Sequence, residues 1–312
     1  MNMKMKKTSS GFGAQLKSLK KKIFSHGRKI SLLVVNLFIN HDLVFRFLGS
    51  LGIFKTVFVA YPAYEELALA YVYKRHRHWM RWRPWPAGIF RQNGRWGLMM
   101  VISSVEKDFL DSANIENMKA LIQRTEDIRR LLKAEQKTFA GILPGIFAAK
   151  NLLKFSHEAI VTANAVIKAE KKINPLGFPV IVLGGKGFIG RRIVKKLTHK
   201  GRKVFCVDVD SDSSWPKHLL GQPAVVINVT KKAALKEYIP LFWEGLILLN
   251  EVYPAPSKEE IESMRSKKVP AFHVVGLMAN SLPSFPREYA GGIPCCAGWD
   301  SPEMEVIIRE LN

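Results

Sequence analysis

The chain has 312 residues, of which 47% are hydrophobic and 24% are charged. This composition excludes a largely disordered chain, a collagen-like repeat and a multi-pass membrane protein, and the length predicts two domains or one domain with a large extension. Lys and Arg number 48 against 26 Asp and Glu, and the net charge of +22 favours an anionic partner such as a membrane surface, a nucleic acid, a phosphorylated ligand or an acidic protein. Three cysteines are too few for a disulfide framework, which favours a reducing, cytoplasmic compartment.

The N-terminal segment combines a basic stretch with a short apolar run. Residues 1–29 contain nine Lys or Arg residues and no acidic residue, and the run Ile30–Ile39 follows. This run is shorter than the roughly 20 residues that a membrane span requires. The segment is interpreted either as a basic, flexible tether to anionic lipid, which would make the protein a peripheral membrane protein, or as a solvated tail before a core helix or strand.

Residues 30–172 are predicted to form a mixed α+β domain that binds the substrate or a partner. Asn93-Gly94 lies between two apolar flanks, which predicts a β-hairpin because a type I′ turn needs positive φ at both central residues. Helical spacing of apolar residues predicts helices between 104 and 134 and between 157 and 172. The segment 173–179, which is rich in Pro and Gly, is the predicted domain boundary.

From Val180 onwards, apolar strands alternate with helical segments. The predicted strands are 180–183, 203–209, 224–229, 245–252 and 271–275, and the predicted helices include 188–199 and 258–267. Such a βαβ series forms a parallel sheet with helices on both faces. The protein is therefore predicted to be α/β, with a Rossmann-like dinucleotide-binding domain over residues 180–312 that ends in a cysteine-bearing segment.

A glycine-rich turn follows the first strand of this series. Gly185-x-Gly187-x-x-Gly190 matches the pattern in which glycines allow a tight turn, close approach of a pyrophosphate and close packing of helix on strand. Asp208 follows the next strand, near the position of an acid that binds the ribose, and this favours NAD over NADP. Arg191 and Arg192 partly offset that preference. The alternative is a glycine-rich turn in a domain that binds no nucleotide.

The heptapeptide GGKGFIG resembles the turn of extended short-chain dehydrogenases. The resemblance assigns Gly184, Gly187 and Gly190 to the family's glycine positions, and the cofactor-binding set predicted from this turn and the strands beside it is Gly184, Gly185, Gly187, Phe188, Ile189, Gly190, Asp208 and Thr230. The catalytic Tyr-x-x-x-Lys pair of that family is absent after the turn. Its chemistry is therefore not expected here.

Residues 226–257 are similar to the second half of shikimate-dehydrogenase-type nucleotide domains. That resemblance places Thr230 beside the nicotinamide and Tyr253 in a proline-bearing loop at the end of the following strand, where Asn228, Asn250 and Glu251 also face a ligand. Tyr253 is accordingly a candidate catalytic residue. Ordinary polarity of loops is the alternative explanation for each of these residues.

Cys295 and Cys296 lie near the C-terminus, before a predicted helix. A cysteine at a helix start gains thiolate character, and a thiolate attacks thioesters to form an acyl-enzyme. The segments FAGILPGIF and SHEAIVTANAV, the glycine turn and the late cysteine together resemble long-chain acyl-ACP reductases. This resemblance implies an aldehyde-forming reduction of a small-molecule or acyl-carrier-bound substrate, with Cys296 preferred over Cys295. A buried, inert cysteine pair is the alternative.

The segment Tyr71–Pro86 interleaves Arg and Lys with Trp. This pattern suits a membrane interface, an acidic carrier protein or single-stranded nucleic acid, but no nucleic-acid-binding fold signature accompanies it, so nucleic acid is not an expected partner. His76 and His78 have no Cys, Asp or Glu nearby, and no metal site is predicted.

Three functions remain open from the sequence. The first is an NAD(P)-dependent oxidoreductase that uses a cysteine acyl-enzyme. The second is a non-catalytic Rossmann protein that attaches to a membrane or partner through its basic face. The third is a shikimate-type dehydrogenase without a covalent step.

Overall fold

The computed structural model describes residues 40–62, 64–69, 72–208, 215–230 and 234–312, together with 27, 29–31, 33, 34, 37 and 38. Most of the basic segment 1–29 therefore lies outside the described residues. The α-helices are α1 (His41–Ser50), α2 (Glu65–Leu69), α3 (Arg77–Met80), α4 (Glu106–Leu110), α5 (Ile115–Leu131), α6 (Leu143–Ala149), α7 (His157–Ile173), α8 (Gly190–His199), α9 (Leu235–Tyr238) and α10 (Lys258–Ser266). The strands are β1 (Phe54–Ala60), β2 (Trp85–Gln92), β3 (Arg95–Val101), β4 (Gln136–Phe139), β5 (Val180–Leu183), β6 (Val204–Val207), β7 (Ala224–Asn228), β8 (Leu246–Asn250), β9 (Ala271–Leu277), β10 (Asn280–Leu282) and β11 (Val306–Glu310).

The first sheet is mixed and has the strand order β10-β2-β3-β1-β4. Strand β1 pairs in parallel with both β3 and β4, and β2 pairs antiparallel with β3. The predicted hairpin joins β2 to β3, with φ of 45° at Asn93 and 79° at Gly94. Helix α5 covers this sheet through Met118, Leu121 and Ile128, which belong to the same buried cluster as Val57 on β1.

The second sheet has the strand order β11-β9-β8-β7-β5-β6 and is parallel from β6 to β9. Its side chains alternate between two buried clusters. Val180 and Val182 pack with residues of α7 and α8 on one face, whereas Ile181 and Leu183 pack with residues of α9 and α10 on the other. The α/β fold and the helices on both faces of a Rossmann-like sheet are thus confirmed.

The strand order reverses between β5 and β7. The chain runs from β5 to β6 on one side and then returns to β7 on the other side. In open parallel sheets, ligands bind outside the carboxyl ends of the strands at such a switch point. The glycine turn follows β5 and therefore lies at this position.

The C-terminal segment returns to the first sheet. Strand β10 pairs antiparallel with β2, although it follows β9 of the second sheet. Gln92 on β2 donates a side-chain hydrogen bond to the Trp299 carbonyl (3.1 Å), and the Trp299 amide donates to Gln92 Oε1 (3.3 Å). The first sheet thus contains residues from beyond 180, and the domain division proposed from the sequence stays a prediction.

The prediction of a helix after the cysteines is wrong. Residues Cys295–Ala297 form a single 3₁₀ turn, and Val306–Glu310 form strand β11, which pairs antiparallel with β9. The sequence VIIRE is rich in β-branched residues, which favour a strand. Its pairing with the distant strand β9 outweighs the local helical spacing. Within the described residues, no helix combines the length and apolar character that a membrane span needs.

Candidate functional site

The glycine turn after β5 depends on a positive φ and on close approaches of the backbone. Gly184 has a φ of +78°, and a Cβ added there would lie 3.0 Å from the Val229 carbonyl oxygen. A Cβ at Gly190 would lie 2.0 Å from the Gly184 carbonyl oxygen, so this glycine brings helix α8 against the turn. A Cβ at Gly185 would lie 2.5 Å from Cys206 Sγ.

The start of α8 offers backbone amides to a ligand. The amides of Phe188, Ile189 and Gly190 have no hydrogen-bond partner among the described residues. Gly187 is exposed, and a Cβ there would meet nothing within 3.9 Å except the Gly184 carbonyl oxygen, at 3.0 Å. Open amides at the first turn of a helix bind anionic groups, and the helix dipole adds to the attraction. The turn therefore fits the diphosphate of a dinucleotide.

Asp208 directly follows β6 and faces the glycine turn. Its Oδ2 accepts a hydrogen bond of 3.0 Å from the amide of Lys186, which fixes the acid beside the turn. The side chain is half-buried. A carboxylate in this place can accept hydrogen bonds from a ribose and repels a phosphate on the same ribose.

Two arginines follow the turn and pack against one aromatic ring. The guanidinium of Arg192 lies 4.5 Å from the ring centroid of Phe188, and that of Arg191 lies 5.6 Å from it. Both cations are therefore held at the start of α8, where they add positive charge to the diphosphate position.

A row of polar side chains crosses three neighbouring strands, at the carboxyl ends of β7 and β8 and within β9. Asn228 Nδ2 donates to Asn250 Oδ1 (2.7 Å), and Asn250 Nδ2 lies 3.0 Å from His273 Nδ1. Thr230 Oγ1 donates to Asn228 Oδ1 (2.7 Å), which extends the row toward the glycine turn. The side chains of Asn228, Asn250 and His273 are each at most 4% exposed. Burial lowers the pKa of His273. Such a satisfied buried network gives the end of the sheet a fixed shape.

A cleft of about 330 Å³ opens beside this row. It is lined by Asn228, Leu235 and Asn250, by Val252 and Pro254–Ser257 of the loop after β8, and by Glu260 of α10. The cleft thus lies where the ends of β7 and β8 meet the solvent, next to the strand switch point.

The two cysteines lie between the sheets and are poorly ionised. Cys295 is 8% exposed and Cys296 is half-buried. Burial raises the pKa of the Cys295 thiol well above its usual value and that of Cys296 to about 12. Since the predicted helix is absent, no helix dipole counteracts this effect. Both residues are mostly protonated thiols at neutral pH.

Two carboxyl groups from different halves of the molecule act electrostatically on the Cys296 thiol. Glu158, in the first turn of α7, and Glu251, which follows β8, both interact electrostatically with this thiol. Burial raises the pKa of each carboxyl group to about 7. Glu158 is 3% exposed, and its Oε1 is buried without a hydrogen-bond partner among the described residues. An unpartnered buried carboxyl oxygen of this kind is costly for stability and characteristic of functional sites.

Tyrosine side chains complete this group between the sheets. Burial raises the pKa of Tyr61 and Tyr289 well above the usual value, and both phenols interact electrostatically with Cys296. Tyr253 is 56% exposed, and its ring lies 6.3 Å from that of Tyr289 in a stacked arrangement. Tyr253 therefore lies at the entrance of the group rather than inside it.

The residues predicted from the sequence fall into two neighbouring groups. The first comprises the glycine turn with Asp208 and Thr230. The second comprises Cys295, Cys296 and Tyr253. Glu158 links the two, because it interacts electrostatically with both Arg192 on α8 and Cys296.

Sequence reasoning missed Glu158 as a functional candidate. The residue lies in the segment SHEAIV, where Ser156 caps α7 by accepting a hydrogen bond from the Ala159 amide (3.2 Å). An acid in the first turn of a capped helix is common for structural reasons. Only its burial between the sheets distinguishes this acid, and no local pattern in the sequence reports that.

Residues 180–244 match the model of the NAD-dependent epimerase/dehydratase family. The match begins with β5 and ends just before β8, and so includes the glycine turn, Asp208 and Thr230. The second sheet is Rossmann-like in its strand order. Among solved structures, the chain is similar to shikimate 5-dehydrogenase from Listeria monocytogenes in complex with shikimate and NAD, with 12% identity, a TM-score of 0.34, and coverage of 71% of this chain and 86% of that chain. No curated protein matches the sequence.

Proposed function

We propose that the protein is an NAD(P)-dependent oxidoreductase that interconverts a carbonyl group and an alcohol on a substrate held between its two sheets. The observation that carries this proposal is the turn Gly184–Gly190, with its open amides and the adjacent Asp208. The substrate is a small molecule or an acyl group on a carrier. NAD is preferred over NADP because the Asp208 carboxylate repels a 2′-phosphate.

The residues around the two groups have separate roles in this proposal. The amides of Phe188, Ile189 and Gly190 bind the diphosphate, and Asp208 accepts hydrogen bonds from the ribose. Thr230 and Asn228 form the wall beside the reactive ring of the cofactor. The bound dinucleotide supplies or accepts the hydride.

Reduction of a carbonyl group also requires a proton for the new alcohol oxygen. Glu158 and Glu251 are candidates for this donor, because burial raises the pKa of each to about 7 and a carboxylic acid therefore remains partly protonated at neutral pH. In the oxidative direction, the same carboxylate accepts the proton. Glu158 is the stronger candidate because its Oε1 has no partner among the described residues.

The finer hypothesis of a thioester reduction through an acyl-cysteine depends on Cys296. The electrostatic interaction of its thiol with Glu158 and Glu251 supports this chemistry, since a carboxylate can accept a thiol proton. Its pKa of about 12 opposes it, because little thiolate exists at neutral pH. We therefore favour hydride transfer without a covalent step.

A thermal-shift experiment with NAD, NADH, NADP and NADPH tests the cofactor assignment. A ligand that binds only the native state raises the unfolding midpoint. At a ligand concentration a hundredfold above Kd, the free energy of unfolding increases by about 2.7 kcal/mol. We expect NAD and NADH to produce the larger shifts. Absence of a shift with all four nucleotides would contradict the proposal.

The double variant C295A/C296A separates the two chemistries. Turnover of NADH with aldehydes, ketones and acyl thioesters is measured by absorbance for the natural protein and the variant, with C206A as the matched control. We expect carbonyl reduction to survive in both variants. Loss of all turnover in C295A/C296A alone, with rapid iodoacetamide labelling of the natural protein near neutral pH, would establish the acyl-cysteine route. Nucleotide binding without turnover on any substrate would favour the non-catalytic nucleotide-binding function.

A further inference from the structure

A group of large apolar side chains near the N-terminus lies exposed to solvent. Leu37, Phe38, Leu43, Phe47 and Leu51 are each at least 50% exposed, and Phe38 reaches 82%. These five residues are called the N-terminal apolar surface. Contiguous exposed apolar groups of this size mark an interaction site rather than ordinary surface.

Helix α1 carries most of this surface on one side. Leu43, Phe47 and Leu51 are spaced four residues apart, so they share one face. The opposite face is docked on the domain: Phe45 is 3% exposed, and a Cβ at Gly49 would lie 2.2 Å from the Leu131 carbonyl oxygen. The helix is therefore held in place with its second apolar face directed outward.

An ion pair also fixes the orientation of α1. Arg124 on α5 donates to the carboxylate of Asp42 at 2.6 Å. The side chain of Asn40 caps the helix by accepting from the Leu43 amide at 3.3 Å. Because Arg124 belongs to α5, this ion pair holds the docked side of α1 and does not cover the outward face.

Basic and aromatic side chains border the N-terminal apolar surface. Leu37 lines a cavity of about 310 Å³ together with Trp79 and Arg83. Lys74, Arg75 and Arg83 are exposed, and Trp79 is 42% exposed. Tryptophan and basic residues around an apolar face are typical of a helix that lies in the headgroup region of a membrane.

The charge of the preceding residues points to the same partner. The nine Lys or Arg residues and the absence of acids in 1–29 directly precede this surface. A single-stranded nucleic acid would use the cations and Trp79, but it offers nothing for aliphatic side chains such as Leu43 and Leu51. An anionic lipid surface uses both the apolar side chains and the cations.

We propose that the N-terminal apolar surface and the surrounding cations form a binding site for anionic lipid bilayers, on which the protein lies peripherally. Leu37, Phe38, Leu43, Phe47 and Leu51 enter the acyl boundary, and Lys74, Arg75 and Arg83 contact the phosphate headgroups. The proposal is independent of the oxidoreductase function, since it uses no residue of the glycine turn or of the group between the sheets.

Sedimentation with vesicles tests this proposal on the full chain. The probes are vesicles of phosphatidylcholine mixed with phosphatidylserine, and vesicles of phosphatidylcholine alone. We expect binding to the mixed vesicles, weaker binding as salt is raised, and a loss of affinity of about tenfold or more in L43S/F47S because two exposed apolar side chains are removed. The matched control is L176S/L220S, which replaces two similarly exposed leucines outside this surface and should bind as the natural protein does.

Four outcomes would overturn the proposal. The first is no binding to the mixed vesicles. The second is unchanged binding in L43S/F47S, which would assign the attraction to charge alone. The third is a homodimer in analytical ultracentrifugation that L43S/F47S dissociates, which would assign the surface to a second copy of the chain. The fourth is binding of a single-stranded oligonucleotide that competes with the vesicles and is unaffected by L43S/F47S, which would assign the surface to nucleic acid. The thermal midpoint of L43S/F47S should match that of the natural protein, because both side chains are exposed.

Discussion

Glu158 illustrates how burial changes the chemistry of a single side chain. At the exposed start of a helix, a carboxylate is stabilised by the helix dipole. Here the group is 3% exposed, and burial raises its pKa from 4.5 to about 7 in spite of the hydrogen bond from Ser156 and the charge of Arg192. The folded protein therefore binds a proton on Glu158 over a pH range in which the unfolded chain has released it.

The variant E158Q should remove part of the pH dependence of stability. Between about pH 4.5 and 7 the folded state holds more protons than the unfolded state, so the contribution of Glu158 is fully present at low pH and is lost as the pH rises through about 7. Glutamine resembles the protonated acid, and E158Q should exceed the natural protein in stability by on the order of 3 kcal/mol near pH 8 and match it at low pH. Urea unfolding at several pH values measures this difference. If the free energy of unfolding changes with pH in the same way in both proteins, the Glu158 carboxyl group is not desolvated. E116Q, on the exposed side of α5, is the control.

Asp208 should control the choice between the two dinucleotides. In D208N the side chain still accepts the hydrogen bond from the Lys186 amide, but the negative charge is lost. We expect the affinity for NAD to fall about tenfold and the preference for NAD over NADP to shrink, since a charged hydrogen bond contributes about 1.5–3 kcal/mol. Titration calorimetry with NAD and with NADP measures the ratio of the two affinities. The variant D127N on α5 is the control. An unchanged ratio would exclude Asp208 from the ribose site.

Residue identity predicted the glycine turn far better than the group between the sheets. The three glycines and Asp208 fall within one βαβ unit, and their spacing alone indicates the turn that the structure contains. Glu158 and Cys296 are far apart in the sequence, and their pKa values depend on elements that bury them from both halves. The cysteines appeared reactive from the sequence because a helix start was expected beside them, whereas the structure buries them at a 3₁₀ turn.

At the scale of elements, the local sequence of the unit β5–turn–α8 predicts the same structure that its tertiary packing produces. Val180–Leu183 is fully buried between two layers, and its four apolar residues predict such a strand. The close approach of α8 to the turn depends on Gly190, and the open side of the turn depends on Gly187. The two glycines therefore serve different purposes within one element.

Alanine substitutions should separate these purposes. A Cβ in G187A meets only the Gly184 carbonyl oxygen at 3.0 Å, so the fold should tolerate it with a change in stability below about 1 kcal/mol, while the methyl group obstructs the diphosphate and weakens NAD binding at least about tenfold. A Cβ in G190A lies 2.0 Å from the same oxygen, and this variant should lose several kcal/mol of stability, on the order of overpacking in a core. Thermal unfolding with and without NAD distinguishes the two, and G145A, where a Cβ meets nothing within 4 Å, is the control. Equal NAD binding by G187A and the natural protein would contradict the site.

The C-terminal elements show where local prediction fails. Strand β11 exists because Val306–Glu310 pairs with β9, and β10 exists because Asn280–Leu282 pairs with β2. Both pairings join segments that are distant in the sequence. Helical spacing and propensity contain no information on such partners, so the strands of the βαβ series were predicted and these two were not.

At the scale of the molecule, the return of the chain to the first sheet joins the two halves. Trp299 is 3% exposed and stacks on Phe90 of β2 at 6.1 Å between ring centroids. Gln136 on β4 donates to the Gly298 carbonyl at 3.2 Å. The core of the first sheet is therefore completed by residues that follow β9 of the second sheet in the sequence.

The variant W299A should destabilise the whole protein in one step. Removing a buried tryptophan costs about 3–5 kcal/mol, and because both halves share this contact, unfolding should remain a single transition at a lower urea concentration. Fluorescence and far-ultraviolet circular dichroism should report the same midpoint. The control W79A removes a tryptophan that is 42% exposed and should change the midpoint little. Two separate transitions, with only one displaced by W299A, would show that the halves unfold independently.

The polypeptide passes between the two sheets at three places: the linker 174–179 before β5, the step from β9 to β10, and the stretch from Trp299 to β11. Three crossings restrict rotation of one sheet relative to the other more than a single linker would. The relative position of the elements that bury Glu158 and Cys296 is thus set when the chain folds. A substrate of the proposed oxidoreductase would reach this group past the exposed side chain of Tyr253 and not by opening of a hinge.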